Sequence, residues 1–432
     1  MKKKIRGRIT KIGLAFFCIL LLPSWATAEQ WVSLNQVWEK GFTEKNWILF
    51  DPRRVIHTAD GGYAVLSNGF LLYKFGSKGN VEWYREIRES TPPYADNVGN
   101  DLIEVKGGGF LVVGSTNSDE LSGRNMSKPF GAKSGNSRDT APIAIKFASD
   151  GTEEWRRVIE PPEPGYKFGE LDRAIEIKEG FLLMGRYLVG PSESFGIRIA
   201  RRVSWLMQVS KGGEIVWKKF LDKELFAKIK PEGFDFTVGG DGNLVMAGSA
   251  YNWAVREPDG SIRGARNEEA QEYTLLLKLN ENGEELYRTR IDRRRYTGIT
   301  VTNNGYAVIT MPLLDDARRP RQLVLYYLDE KFDTKNEVRC RDFEEFKPLG
   351  LVGVIRDGEV LAHGMSIGRN PFNAVLASIP SNGKCREVIY KSRSDASFVS
   401  ASLSNDKHDL VLLQSAILNR KESKLIRYEL DY

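Results

Sequence analysis

The stretch GGYAVLSNGFLLYKFGSKGNVEWYREI, from Gly61 to Ile87, sets the reading of the whole chain. A glycine turn opens it, an apolar run of the G-[YF]-x-V type follows, and then comes a strand that alternates apolar and polar residues. Lys78-Gly79-Asn80 makes a short hairpin into a last segment whose third residue is Trp83. Gly, Asn and Asp at tight turns between β-branched and aromatic runs are hairpin signals. With a weak strand ahead of the turn, the unit has four antiparallel strands.

The unit recurs. GGGFLVVGST (Gly107–Thr116) resumes after an insert as APIAIKFASDGTEEWRRVI (Ala141–Ile159). EGFLLMGR from Glu179 continues with WLMQVSKGGEIVWKKFL from Trp205. DGNLVMAGS from Asp241 continues with YTLLLKLNENGEELYRTRI from Tyr273. More degenerate copies start at Asn304, Asp357 and His408. Four-stranded units repeated along a chain predict an all-β fold, a β-propeller of about seven blades, with six or eight as alternatives.

The two ends of the chain point to ring closure. The last unit reaches Tyr432 after its third strand, while WVSLNQVWEKGF (Trp31–Phe42) carries Val37-Trp38-Glu39-Lys40, which matches Glu82-Trp83-Tyr84-Arg85. An orphan fourth strand at one end and a missing one at the other predict that the N-terminal strand completes the last blade, leaving no open seam. The pattern resembles bacterial exported propellers with GG[YF]xVxGST and LxKLxxxGxxxW repeats and, more distantly, the quinoprotein-like propellers. That resemblance implies fold and not activity.

Residues 1–28 read as a secretory signal peptide. Six cations precede an apolar run from Ile12 to Leu22, and Ala26-Thr27-Ala28 supplies small residues for cleavage after Ala28. Residues 29–432 then form a single propeller domain, periplasmic or extracellular. The formal charge of +6 lies wholly in that leader, so the remainder holds 57 cations against 57 anions and gives no global case for nucleic acid. No later segment has the length and apolarity of a transmembrane helix. Cys340 and Cys385 either pair in the oxidising compartment or stand as two thiols.

Catalytic signatures are missing from the sequence. Trp38, Trp83, Trp155 and Trp217, with Tyr287, recur at one blade position and are expected to pack between blades rather than bind sugars. Neither the vicinal cysteines nor the Ala-x-Asp…Thr-Gly…Trp dock of quinone enzymes occurs, and Ser149–Trp155 misses sialidase Asp-box spacing. His57, His363 and His408 are dispersed without ligand spacing and are expected to be satisfied or exposed. No cofactor and no metal are expected.

The informative segments are the long connections between second and third strands in blades two to five, which emerge on the same face as the inter-blade connections. They run from Asn117 to Thr140, Arg186 to Val203, Tyr251 to Glu272 and Pro312 to Gln322. Arg186, Arg198, Arg201, Arg202, Tyr251, Trp253, Arg293, Arg294, Arg295, Arg318 and Arg319 are the ligand-binding candidates there. Arginine forks suit carboxylate, sulfate or phosphate groups. The expectation is a non-catalytic binding or assembly propeller for a protein or glycan partner in the envelope or outside the cell. The alternative is a hydrolase or lyase working on an extracellular polysaccharide at the central channel.

Overall fold

The computed structural model describes residues 33–42, 52–87, 97–116, 140–160, 166–189, 201–221, 234–252, 254–256, 262–264, 271–292, 294–312, 323–340, 346–355, 358–366, 374–381, 388–391, 396–416 and 423–431. They form seven four-stranded antiparallel sheets. Blade one contains Pro52–His57, Tyr63–Ser67, Leu71–Phe75 and Val81–Glu86, in that order from the axis outward. Blades two to six repeat this plan, beginning at Val98, Tyr166, Phe234, Arg294 and Phe346. Blade seven has Ala396–Leu403, Asp409–Ala416 and Ser423–Asp431, and its outermost strand is Ser33–Phe42 from the other end of the chain. The predicted closure is therefore present: Ser33 pairs with Asp431 and Phe42 with Ser423. The seven innermost strands touch in succession around the ring, the first also meeting the last, so they surround the axis.

Burial follows from this arrangement. Second strands lie between neighbouring blades and are covered on both faces. Tyr63–Ser67 and Phe110–Thr116 are accordingly buried at every position, which explains their continuous apolar runs. Fourth strands form the rim and bury little besides one aromatic. Val81–Glu86 is exposed except at Trp83 and Glu86, which are half-buried. The core is divided into seven wedges, one per seam. Leu66, Leu72 and Phe110 fill the wedge between blades one and two. Tyr63, Val65, Val411 and Leu413 fill the closing wedge between blades seven and one.

The repeated Trp is part of the seam, as the sequence reading expected. Each indole lies on the hairpin glycine of the next blade: Trp38 on Gly79, Trp83 on Gly151, Trp155 on Gly213 and Trp217 on Gly283. A Cβ on any of those glycines would stand 2.8–3.1 Å from the ring, and all four have positive φ, so glycine is required there twice over. Three of the indoles donate Nε1–H to a hairpin carbonyl, on Ser77, Ser149 and Lys211. Two residues further on, a cation reaches the same hairpin. Arg85 donates to the carbonyl of Gly151 at 2.9 Å, Arg157 to that of Gly213 at 2.8 Å, and Lys219 to that of Asn282 at 2.6 Å.

Tyr287 does not follow the pattern. It stands where the Trp would be in blade four, yet it is 43% exposed. The hairpin it would cover carries Phe332 in place of glycine, with φ 64°. Phe332 turns into the core against Tyr306 instead. Lys278 holds this seam: its ammonium lies 2.8 Å from Glu330 and 2.6 Å from Asp241. Lys74 makes the corresponding contact with Asp60 at 2.8 Å in blade one. The lysine of the L-x-K motif thus ties the third strand to the first turn of its own blade.

The strands also extend into segments read as loops. In blade three they run to Val189 and resume at Arg201, and in blade four to Asn252, resuming at Gln271. Ala254–Arg256 and Ile262–Gly264 add a small hairpin beyond blade four. Backbone pairing continues there after the apolar pattern has ended, because ladder hydrogen bonds do not require apolar side chains.

Candidate functional site

Two places on a propeller can gather side chains from several blades: the face bearing the long connections and the axis. On the loop face, backbone pairing places several candidates at strand ends. Arg201, Arg202, Tyr251, Arg294 and Arg295 all lie at loop-side strand ends, pairing through their backbones with Val189, Leu188, Glu272, Pro312 and Met311. Arg186 is tied within blade three, its guanidinium meeting Asp172 at 2.7 Å and Glu170 at 2.9 Å. The Arg294 side chain hydrogen-bonds Tyr326. Arg198, Trp253, Arg293, Arg318 and Arg319 lie outside the described residues, as do Ala28 and Cys385. Cys340 is buried and disulfide-bonded.

The axis carries a set of residues that the sequence reading missed. The second-strand residues Leu66, Val113, Met184, Ala247, Ile309, His363 and Leu413, each three places beyond the residue that opens the equivalent apolar run (Tyr63, Phe110, Phe181, Leu244, Tyr306, Val360 and Leu410), pair with Arg54, Asp101, Arg173, Asp235, Gly298, Gly350 and Ser400 in blades one to seven. In every blade except the fourth, a β-bulge adjoins this position. An extra residue bends the strand and re-aims neighbouring side chains.

Four consecutive blades therefore present alternating charge at one level. Arg54 Nε lies 3.2 Å from Asp101 Oδ1, and the other oxygen of Asp101 accepts the Ala174 N–H. Arg173 donates from Nε to Asp235 at 2.6 Å, and Tyr296 donates its hydroxyl to the second oxygen of Asp235 at 3.0 Å. Across the ring, blades five to seven show only glycine, glycine and serine. The Ser400 hydroxyl accepts the N–H of Val55.

The electrostatics match this pairing. Burial raises the Asp235 carboxyl, but Arg173 and Tyr296 outweigh it and hold the group below its ordinary range. Asp172 is driven upward, first by desolvation and then by Glu170, against the pull of Arg186. The described axial carboxylates Asp101, Asp172 and Asp235 each face an arginine, and at the Arg54–Asp101 pair neither the buried Nε nor the buried Oδ1 makes a hydrogen bond.

Two histidines depart from the expectation that they would be satisfied or exposed. His363 follows the apolar Val360, Leu361 and Ala362 in the blade six second strand and faces Gly350. Its Nδ1 is buried without a hydrogen-bond partner among the described residues. His57 contacts the Ser402 hydroxyl at 3.2 Å through Nδ1, while its Nε2 is likewise buried and unpartnered. Burial pushes both imidazoles down to about 4. Both are therefore neutral in the folded protein at pH 6, where an unfolded histidine is mostly charged. The unfolded chain binds more protons over this interval, so stability falls as pH drops from about 6.5 to about 4 and levels off below that. We expect a loss of roughly 1–3 kcal/mol per histidine across that window. Urea midpoints measured between pH 7 and 4 should flatten in a His57→Gln/His363→Gln double variant.

No family model matches the chain, and no curated protein matches it. Solved propellers do. BamB from Moraxella catarrhalis superimposes with a TM-score of 0.43 at 11% identity, covering 92% of this chain and 99% of that one. A chain of the Mitotic Checkpoint Complex superimposes with a TM-score of 0.51 at 10% identity, covering 99% of both. At such identities the likeness concerns the fold. Among the described residues no helix is long and apolar enough to cross a membrane, and no group of three or more metal-ligating side chains occurs.

Proposed function

We propose that this chain is an exported, non-catalytic binding or assembly propeller that recognises a protein or glycan partner through its long-loop face. One observation carries the reading. The recurring residues that might have served chemistry are used in construction: tryptophans on hairpin glycines, lysines on turn carboxylates, and axial acids on arginines. In the sequence, long connections separate the second and third strands of blades two to five, on a ring whose blades are closed on each other. Long connections on a rigid scaffold are where recognition residues concentrate. The arginines at the loop-side ends of blades three to five favour an anionic group on the partner.

Shortening residues 117–139 and 257–270 to brief Gly-Ser turns should leave the unfolding midpoint within about 1 kcal/mol of the parent in free energy, since loop length changes stability weakly. The same variant should lose at least tenfold of the partner captured from envelope extract by the intact protein. Equal capture by both forms would overturn the assignment to this face.

Export belongs to the same proposal, supported by the leader sequence and by a disulfide at Cys340. Protein recovered from the producing cell should begin at Glu29, and non-reducing peptide mapping should join Cys340 to Cys385. An N-terminus that retains residues 1–28 in the cytosolic fraction would contradict it.

A further inference from the structure

The seams of this ring are not locked alike. In blades one to five the last paired residues before the fourth-strand bulge are Lys74 with Trp83, Lys146 with Trp155, Gln208 with Trp217, Lys278 with Tyr287 and Tyr327 with Asn336. Asn336 therefore stands in blade five where an indole stands in blades one to three. It keeps only the hydrogen bond, donating Nδ2–H to the Ser381 carbonyl at 2.6 Å. Two places on, Val338 is buried where Arg85, Arg157 and Lys219 reach across their own seams. Four places on, Cys340 takes the position of Ile87, Ile159 and Leu221. In the third strand, Tyr327 replaces the lysine and donates its hydroxyl to the Gly358 carbonyl at 2.9 Å.

The wedge behind these residues is also filled differently. Between blades one and two, Phe70, Phe110 and Phe147 are buried and Trp83 packs against them. Between blades five and six the described core residues are Ala, Val, Leu, Ile and Cys340, with Tyr327 as the one aromatic, at the margin. A large ring fills the widening space between two sheets with a single side chain, and small aliphatics do not. It is at this seam that a covalent bond occurs: Cys340 is fully buried in the wedge and disulfide-bonded. On the export reading Cys385 is its partner, since Cys18 belongs to the leader. In sequence, Cys385 lies between Ala374–Ile379 and Val388–Lys391, the third and fourth strands of blade six. The bond thus links the fourth strand of one blade to the third-to-fourth connection of the next. Each Trp–Gly contact elsewhere joins the same two places.

We infer that the seam between blades five and six is a redox latch: its disulfide replaces the aromatic lock, and a dithiol unlocks that seam alone. Cys340 is out of reach, so the attacking thiolate forms a mixed disulfide with the other sulfur, and Cys340 leaves as a thiolate that takes up a proton. The second thiol of the dithiol then displaces Cys385, giving two cysteine thiols and an oxidised dithiol. The Asn336 and Tyr327 hydrogen bonds and the small aliphatic packing remain, so local opening starts at this seam. The inference rests on the Cys340–Cys385 pairing, which peptide mapping checks separately.

Hydrogen–deuterium exchange read by mass spectrometry tests this on the mature ring, with and without millimolar dithiothreitol. Alkylation under denaturing conditions reports the state of the bond. Leu323–Leu328 and Ala374–Ile379 flank the latch, and Leu71–Phe75 and Ala141–Phe147 flank the seam between blades one and two. Reduction should speed exchange by about tenfold or more in the first pair and by less than about twofold in the second. Cys340→Val keeps an aliphatic side chain at this position and removes the bond. It should show the reduced pattern without dithiothreitol and no response to it. If that variant does not fold, Cys385→Ser, which leaves Cys340 in the wedge, decides in its place. A bond that survives dithiothreitol in the folded ring, faster exchange of equal size at both seams, or a Cys340→Val ring as protected as the oxidised parent overturns the inference. In each of these cases, a starting protein that contains the Cys340–Cys385 bond leaves the export reading in place. A mature protein without that bond overturns the latch as well.

Discussion

Deleting residues 33–42 should abolish folding of the ring, even though the deletion removes no catalytic or ligand-binding candidate. This strand pairs with Ser423–Asp431 along its length. It also seats Trp38 on Gly79 and adds the indole to the wedge between blades seven and one. Without it, the third strand of blade seven becomes an open edge, and Leu425, Tyr428 and Leu430, which are all buried in the intact ring, lose their cover on that side. A lost ladder together with an opened seam exceeds the whole margin of about 5–15 kcal/mol that holds a domain folded, and an unpaired edge promotes aggregation. The expected result is no cooperative urea transition and elution as aggregate. Moving the same ten residues behind Tyr432 through a short linker should restore the transition, because closure depends on the strand being paired and not on its place in the chain. A deletion that still unfolded cooperatively near the parent midpoint would show that the ring does not rely on its closing strand.

The second large effect concerns the seam aromatics and depends on which blade is altered. Trp83→Ala should cost about 3 kcal/mol, the scale for removing a large aromatic from a packed site. That side chain covers Gly151, donates to the Ser149 carbonyl and packs edge-on against Phe110. Tyr287→Ala, at the corresponding position of blade four, should cost no more than about 0.5 kcal/mol, as for other exposed sites away from special features. Lys278 and Phe332 already hold that seam. Urea denaturation of the two variants checks the contrast, and equal losses would mean that Tyr287 is docked after all.

These contrasts also show what a sequence of this kind reveals. Hairpin glycines, the apolar second strands and the recurring tryptophan are imposed by local turn geometry and by two-sided burial, so they survive as a visible pattern. The N-terminal Trp38 segment could be placed in the last blade because it carries that pattern alone. The axial residues were hidden for the opposite reason. Innermost strands such as PRRVIH and VGNDLIE do not alternate cleanly, and their bulges shift the count by one residue. Arg54, Asp101, Arg173 and Asp235 become equivalent only when the strand pairing is known. Tyr287 was misplaced because its own blade looked regular, while the cause lay in the next blade at Phe332. The pairing of Lys74 with Asp60 and of Lys278 with Asp241 did leave a signal: the two residues occur together within their units. For the loop face, the sequence identified the segments and the ring establishes which strand ends they join.

The central claim is that recognition belongs to one face of this ring, and site-specific photocrosslinking in the producing cell tests it most directly. A photoreactive residue placed at position 126 or 258, in the long connections, should form discrete adducts with a partner. The same residue at position 78, 212 or 282, in the hairpins of the opposite face, should form none. Adducts arising from the hairpin face, with none from the loop positions, would contradict the account.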